Sequence, residues 1–137
     1  MNEIKFKGYV IEKLDYVQWI NDGHGIHKIE YSDGTEPTYL LLTPNRDYKV
    51  YRDSIGQYIG KKDIFGIEIF SGDILRYPTP DDKGEYFIVK WDNENCRFMA
   101  CGMDKDITLD CKEWSKCEII GNQFRPENQG KTRKLNL

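Results

Sequence analysis

The run from Gln57 to Leu75 constrains this chain more than any other stretch. Gly60, Asp63, Gly66 and Ser71-Gly72-Asp73 recur every few positions and cut the apolar residues into pieces one or two long: Ile64-Phe65, Ile67, Ile69-Phe70 and Ile74-Leu75. Glycine admits backbone conformations that a Cβ penalises, and an aspartate accepts backbone N–H bonds within a turn. Punctuation this dense suits compact turns leading into short strands. Gly60, Gly66 and Gly72 therefore read as turn positions, with Asp63 and Asp73 as turn acceptors. A competing reading makes Asp63, Glu68 and Asp73 a carboxylate cluster for a divalent cation. Extended chain separates the three, and they lack the dense alternation of a calcium loop, so no metal site is assigned.

Elsewhere, alternation of period two dominates over helical period. Ile4 to Ile11 alternates, and Tyr16 to Ile20 is a second strand candidate, with Asp22-Gly23 as its expected hairpin turn. Ile26 to Tyr31 returns. Asp33-Gly34 marks another hairpin before Thr38 to Thr43, whose three consecutive leucines suggest burial on both faces, and Pro44-Asn45 turns the chain into Tyr48 to Tyr51. Beyond the central run, Ile74 to Tyr77, Glu85 to Asp92 and Cys96 to Cys101 form a three-stranded meander, and Cys117 to Phe124 is a last strand. The Pro78 to Gly84 loop between the first two carries prolines that cannot donate to a ladder. Asp110 to Lys116 is the best helix candidate, with Asp110 as cap and Glu113 at the fourth position of a capping box. The expected fold is mainly β: one domain with an N-terminal β-hairpin region to Ser54, packed on a C-terminal SH3-like small β-barrel from Ile55 to Phe124. At most one or two short helices are expected, and the polar segment 125–137, with Lys131, Arg133 and Lys134, reads as a flexible tail.

Composition narrows the function classes. At 137 residues a single core is feasible, and nine Tyr, six Phe and three Trp are far more aromatic residues than disordered chains carry. A net charge of −3 from 20 basic and 23 acidic side chains gives no general attraction to nucleic acid or to anionic membranes. No stretch approaches a membrane span, the N-terminus lacks a signal-peptide core, and a cytoplasmic protein without membrane association is expected. Cys96, Cys101, Cys111 and Cys117 lack the close pairing of zinc knuckles and read as reduced thiols. His24 and His27 fall on opposite faces of an extended segment with no nucleophile in view, so neither catalytic residues nor a cofactor are assigned. One binding alternative remains: Tyr58, Lys61, Lys62, Arg76, Tyr77 and Lys90 interleave aromatics with cations, as a single-stranded nucleic-acid surface on a small barrel does. Nearby acidic residues cancel much of that field.

Four blocks carry a family resemblance. Ile4-Lys5-Phe6-Lys7, the central run, Val89-Lys90-Trp91-Asp92 and Cys117-Glu118-Ile119-Ile120-Gly121-Asn122 stand in the order of the blocks I-K-F-R, Q-Y-T-G-L-x-D-x-x-G-x-E-I-x-x-G-D, V-x-W/Y-D and x-E-V-I-G-N. In this the chain resembles the YopX family, small phage and prophage proteins to which no established biochemical activity is attached. Ile59, Lys61 and the ending Gln123 to Glu127 depart from the pattern. The resemblance implies a β-rich phage or prophage protein of the bacterial host cytoplasm, with Gly60, Asp63, Gly66, Glu68, Gly72, Asp73, Trp91, Gly121 and Asn122 as structural motif residues. The expected function is a non-enzymatic protein-interaction or self-assembling module. Its expected partners are further copies of itself and an unidentified phage or host protein, with single-stranded nucleic-acid binding as the alternative.

Overall fold

The computed structural model describes residues 3–124; the tail expected at 125–137 lies outside the described residues. The chain is mainly β, and it divides into two compact units at Tyr58 and Ile59.

In the first unit, β1 (Phe6–Tyr9) pairs antiparallel with β2 (Trp19–Gly23) on one side. On the other it pairs with the opening residues of β6 (Gly56–Lys62), Phe6 opposite Gln57 and Lys7 opposite Gly56. A separate antiparallel sheet is built from β3 (Gly25–Ile29), β4 (Thr38–Leu42) and β5 (Asp47–Val50), with β4 in the centre. Val10, Leu41 and Val50 form the buried centre, ringed by Phe6, Leu14, Ile20, Ile26, Tyr39, Tyr48 and Ile55. Leu41 is fully buried, while Leu40 and Leu42 are half-buried, so the leucine run does meet neighbours on both faces.

Asp22-Gly23 does not make the expected hairpin. Strand β2 runs on through Gly23, and at His24 the chain leaves β1's sheet for that of β4, with the His24 N–H donating to the Leu42 carbonyl at 2.8 Å. Gly23 is selected by packing: a Cβ there would lie 2.2 Å from Leu41 Cδ1 and 3.0 Å from the Phe6 carbonyl oxygen. The second strand also starts later than expected, at Trp19. Gln18 instead holds the preceding loop, its Nε2 donating to the carbonyls of Val10 (2.7 Å) and Glu12 (2.8 Å) while its Oε1 accepts from the Leu14 N–H (2.9 Å). Tyr16 and Val17 are left exposed on that loop.

In the second unit, the end of β6 pairs with β7 (Glu68–Phe70). The meander appears as β8 (Asp73–Tyr77), β9 (Glu85–Asp92) and β10 (Arg97–Gly102), extended by the two-residue β11 (Thr108–Leu109). Strand β12 (Glu118–Asn122) returns to the far side of β8, giving the order β11-β10-β9-β8-β12, antiparallel throughout. This sheet curls as a half-barrel, and among the described residues its ladder runs from β11 to β12, which bears out the mainly β, barrel-like expectation without extending to the SH3-like form. Its concave side holds Ile69, Leu75, Phe87, Val89, Ala100, Trp114 and Cys117.

Two short 3-10 helices, Arg52–Ser54 and Cys111–Lys116, are the helical content of the described residues. Asp110 caps the second by accepting from the Lys112 N–H at 3.1 Å. Glu113 does not close a capping box: its carboxylate pairs with Lys116 at 2.8 Å and accepts from the Tyr77 hydroxyl at 3.4 Å. Among the described residues no helix is long and apolar enough to cross a membrane.

Candidate interaction site

The motif residues of the central run are engaged with the chain's own backbone. Asp63 is 5% exposed; its Oδ1 accepts from the N–H groups of Phe65 (2.8 Å) and Ile67 (2.9 Å), and its Oδ2 from Ile119 of β12 (3.2 Å). Asp73 is 1% exposed, accepting from the Phe70 N–H (2.8 Å) and from Asn122 Nδ2 (3.0 Å). Asn122 in turn accepts from the Phe124 N–H at 2.8 Å. Gly72 takes φ +93°, and a Cβ there would press on the Asn122 and Gln123 side chains. Gly60 and Gly66 also have positive φ, and the register of β12 shifts between Ile119 and Gly121. Glu68 is half-buried at the head of β7. Among the described residues no three His, Cys, Asp or Glu side chains are placed to hold a metal ion.

This bonding fixes a turn whose outside is apolar. Asp63 N–H donates to the Ile67 carbonyl (2.8 Å) and Gly66 N–H to the Asp63 carbonyl (3.0 Å), while the Ile64 N–H reaches the Cys117 carbonyl (2.9 Å). Held from inside, the turn presents Ile64, Phe65 and Ile67 at 57%, 69% and 57% exposure. Lys61 and Lys62, both exposed, immediately precede it. Single exposed apolar residues are ordinary on a protein surface, but three large ones within four positions form a patch of the kind that marks interaction sites. From sequence they read as the apolar pieces between turns. The missed signal was the Asp63/Gly66 bracket, which puts the residues it encloses at a turn's tip.

A second feature lies between the loop 78–84 and the turn 102–107: a cleft of about 500 Å³ with Pro80, Tyr86, Met103 and Ile107 among its walls. Five charged residues line it, the carboxylates of Asp81, Glu85 and Asp104 and the ammonium groups of Lys83 and Lys105. The loop is tightly built. The Thr79 hydroxyl donates to Asp81 and accepts from the Gly84 N–H (2.9 Å), and Arg76 Nη2 donates to the Asp82 carbonyl (2.8 Å). Asp82 and Gly84 both adopt positive φ, and the Thr79 hydroxyl, followed by the Lys83 N–H, holds the Asp81 carboxyl below its ordinary value. Sequence reasoning found the polar loop and left the 102–107 turn unassigned, because the two meet only once β9 and β10 have paired.

The six residues considered for nucleic acid do not share one surface. Arg76 and Lys90 lie on the side of the sheet away from the core, whereas Tyr77 packs against the core and donates to Glu113. Lys61 and Lys62 are adjacent on β6 and so point to opposite faces. Tyr58 belongs to the first unit, where Lys5 Nζ lies 5.8 Å from its ring centroid. Trp91 is 49% exposed, edge-on to Phe98 at 5.0 Å, with its Nε1 donating to Asn93 at 2.7 Å. His24 and His27 are exposed. All four cysteines are free thiols; Cys117 alone is buried, and burial, then Glu113 and Asp63, push its thiol up to about 11.

A mainly β chain in two units, the second braced internally by the buried carboxylates of its central run, is thus the class that the structure defines. Residues 5–127 match the YopX family, described as YopX protein, and the chain belongs to that family. Among solved structures, the crystal structure of protein EF1440 from Enterococcus faecalis is similar at 17% identity and a TM-score of 0.48, over 89% of this chain and 94% of that one. No curated protein matches the chain.

Proposed function

We propose that this chain is a non-enzymatic protein-interaction module of a phage or prophage, acting in the host cytoplasm and docking through the 63–67 turn. The observation that carries the reading is the exposure of Ile64, Phe65 and Ile67 on a turn already immobilised by Asp63. A pre-ordered apolar anchor loses little conformational freedom on binding, which is how a few residues come to dominate an interface. The buried carboxylates support the same reading, since amide donors already occupy Asp63 and Asp73.

The test is affinity capture from phage-infected cells with the wild type and with Phe65→Asp. Partners held by the wild type are expected to be lost with the variant while its thermal midpoint stays unchanged. Identical capture by both proteins would defeat the proposal. A low-salt titration showing tight single-strand binding that collapses with added salt would reverse the choice in favour of nucleic acid.

A further inference from the structure

We infer that the partner of the apolar turn is a second copy of this chain, and that Ile64, Phe65 and Ile67 of one copy seat in the 79–107 cleft of the next. The inference rests on the interaction reading above and supplies its partner. Two observations meet in it.

The first is shape. The turn is convex, apolar and fixed, whereas the cleft is concave, about 500 Å³, and offers Pro80, Tyr86, Met103 and Ile107 as apolar walls. That volume falls within the range of clefts that enclose a drug-sized apolar group.

The second is charge. Lys61 and Lys62 immediately precede the turn, one on each face of β6, and in the cleft the carboxylates of Asp81, Glu85 and Asp104 outnumber the ammonium groups of Lys83 and Lys105. Apolar contact at the centre with opposite charges at the rim is the arrangement of a specific interface. An anionic lipid surface would also receive two lysines and an apolar tip. It would leave the cleft without a role, and so the observations favour self-docking.

The two surfaces are different patches of one chain, so the contact is heterologous, and copies joined this way add head to tail into rings or open chains. This gives the inference a test that an ordinary dimer fails. Phe65→Asp removes the knob and keeps the cleft, while a Glu85→Lys/Asp104→Lys double variant alters the cleft and keeps the knob. In sedimentation velocity the wild type is expected to grow in mass with concentration. Each variant alone is expected to remain monomeric, and a mixture of the two to form a heterodimer that grows no further.

Circular dichroism checks that both variants are folded, and Phe65→Ser replaces Phe65→Asp if the acidic variant is not. A wild type that stays monomeric at every concentration overturns the inference, as does a mixture that yields no heterodimer. So does a monomeric wild type that floats with phosphatidylglycerol vesicles and releases them on Phe65→Asp. If self-association fails while Phe65-dependent capture from infected cells persists, only the identity of the partner falls; if both fail, the interaction reading falls with it.

Discussion

At the scale of single residues, two buried aspartates and one buried thiol carry the clearest consequences. Replacing Asp73 by Ala removes the buried carboxylate that accepts from the Phe70 N–H and the Asn122 amide. A loss of about 1–3 kcal/mol in urea unfolding is expected, the cost of an unmet buried donor, and a change under about 0.5 kcal/mol would show that water replaces the carboxylate. Cys117 yields a pH dependence with a definite sign. The unfolded thiol releases its proton around the ordinary value of 9.0, whereas the folded one holds it to about 11. Its contribution is therefore intact below pH 9 and drains away as the pH rises to 11, by roughly 2–3 kcal/mol at most. Comparison with Cys117→Ala across that window isolates the effect, and parallel losses in the two proteins would refute it. Such local relations were legible in the sequence, because a carboxylate two or four residues ahead of an amide is a matter of spacing. Ile119 and Asn122, standing 56 and 49 residues from their partners Asp63 and Asp73, were not, since nothing local ties positions so distant.

At the scale of elements, alternation and turn residues reported the meander β8-β9-β10 well, because adjacent antiparallel strands need only a turn and a half-buried pattern between them. The same logic failed at Asp22-Gly23, where one dipeptide serves two physical ends. Glycine suits a tight turn, and it equally suits a strand position with no space for a side chain. The second applies here, so Gly23→Ala is expected to cost about 1–3 kcal/mol by overpacking against Leu41, even though its backbone conformation is ordinary. A thermal midpoint equal to wild type would mean that Leu41 finds another rotamer. The capping box at Asp110 was half legible for a related reason. The cap is set by its own neighbours, whereas Glu113 responds to Tyr77, which reaches it only through the tertiary fold. Strand β6 marks no boundary in the sequence because it runs unbroken across the division between the two units.

At the scale of the whole molecule, the exposed apolar turn and the lysines ahead of it make association the property to measure. Because the rim charges proposed for the contact are exposed, apart from the half-buried Glu85, rising ionic strength is expected to weaken self-association through slower encounter and to leave an apolar remainder. Light scattering at low and high salt reads this directly, and mass that is indifferent to salt would remove the charged rim from the account. A mainly β fold was legible from periodicity, but the apolar tip was not, since apolar residues in a sequence announce burial until a structure shows them outside. The bonding of β12 has a further consequence, for biosynthesis. Asp63 and Asp73 are translated before Ile119 and Asn122, which complete their bonding and are made more than forty residues later. A nascent chain still holding those residues inside the ribosome has β8 without its outer neighbour, so the second unit finishes folding only after β12 has emerged. A message truncated ahead of codon 118 therefore yields a product with an open sheet edge, the kind of surface that quality-control proteases and aggregation both find first.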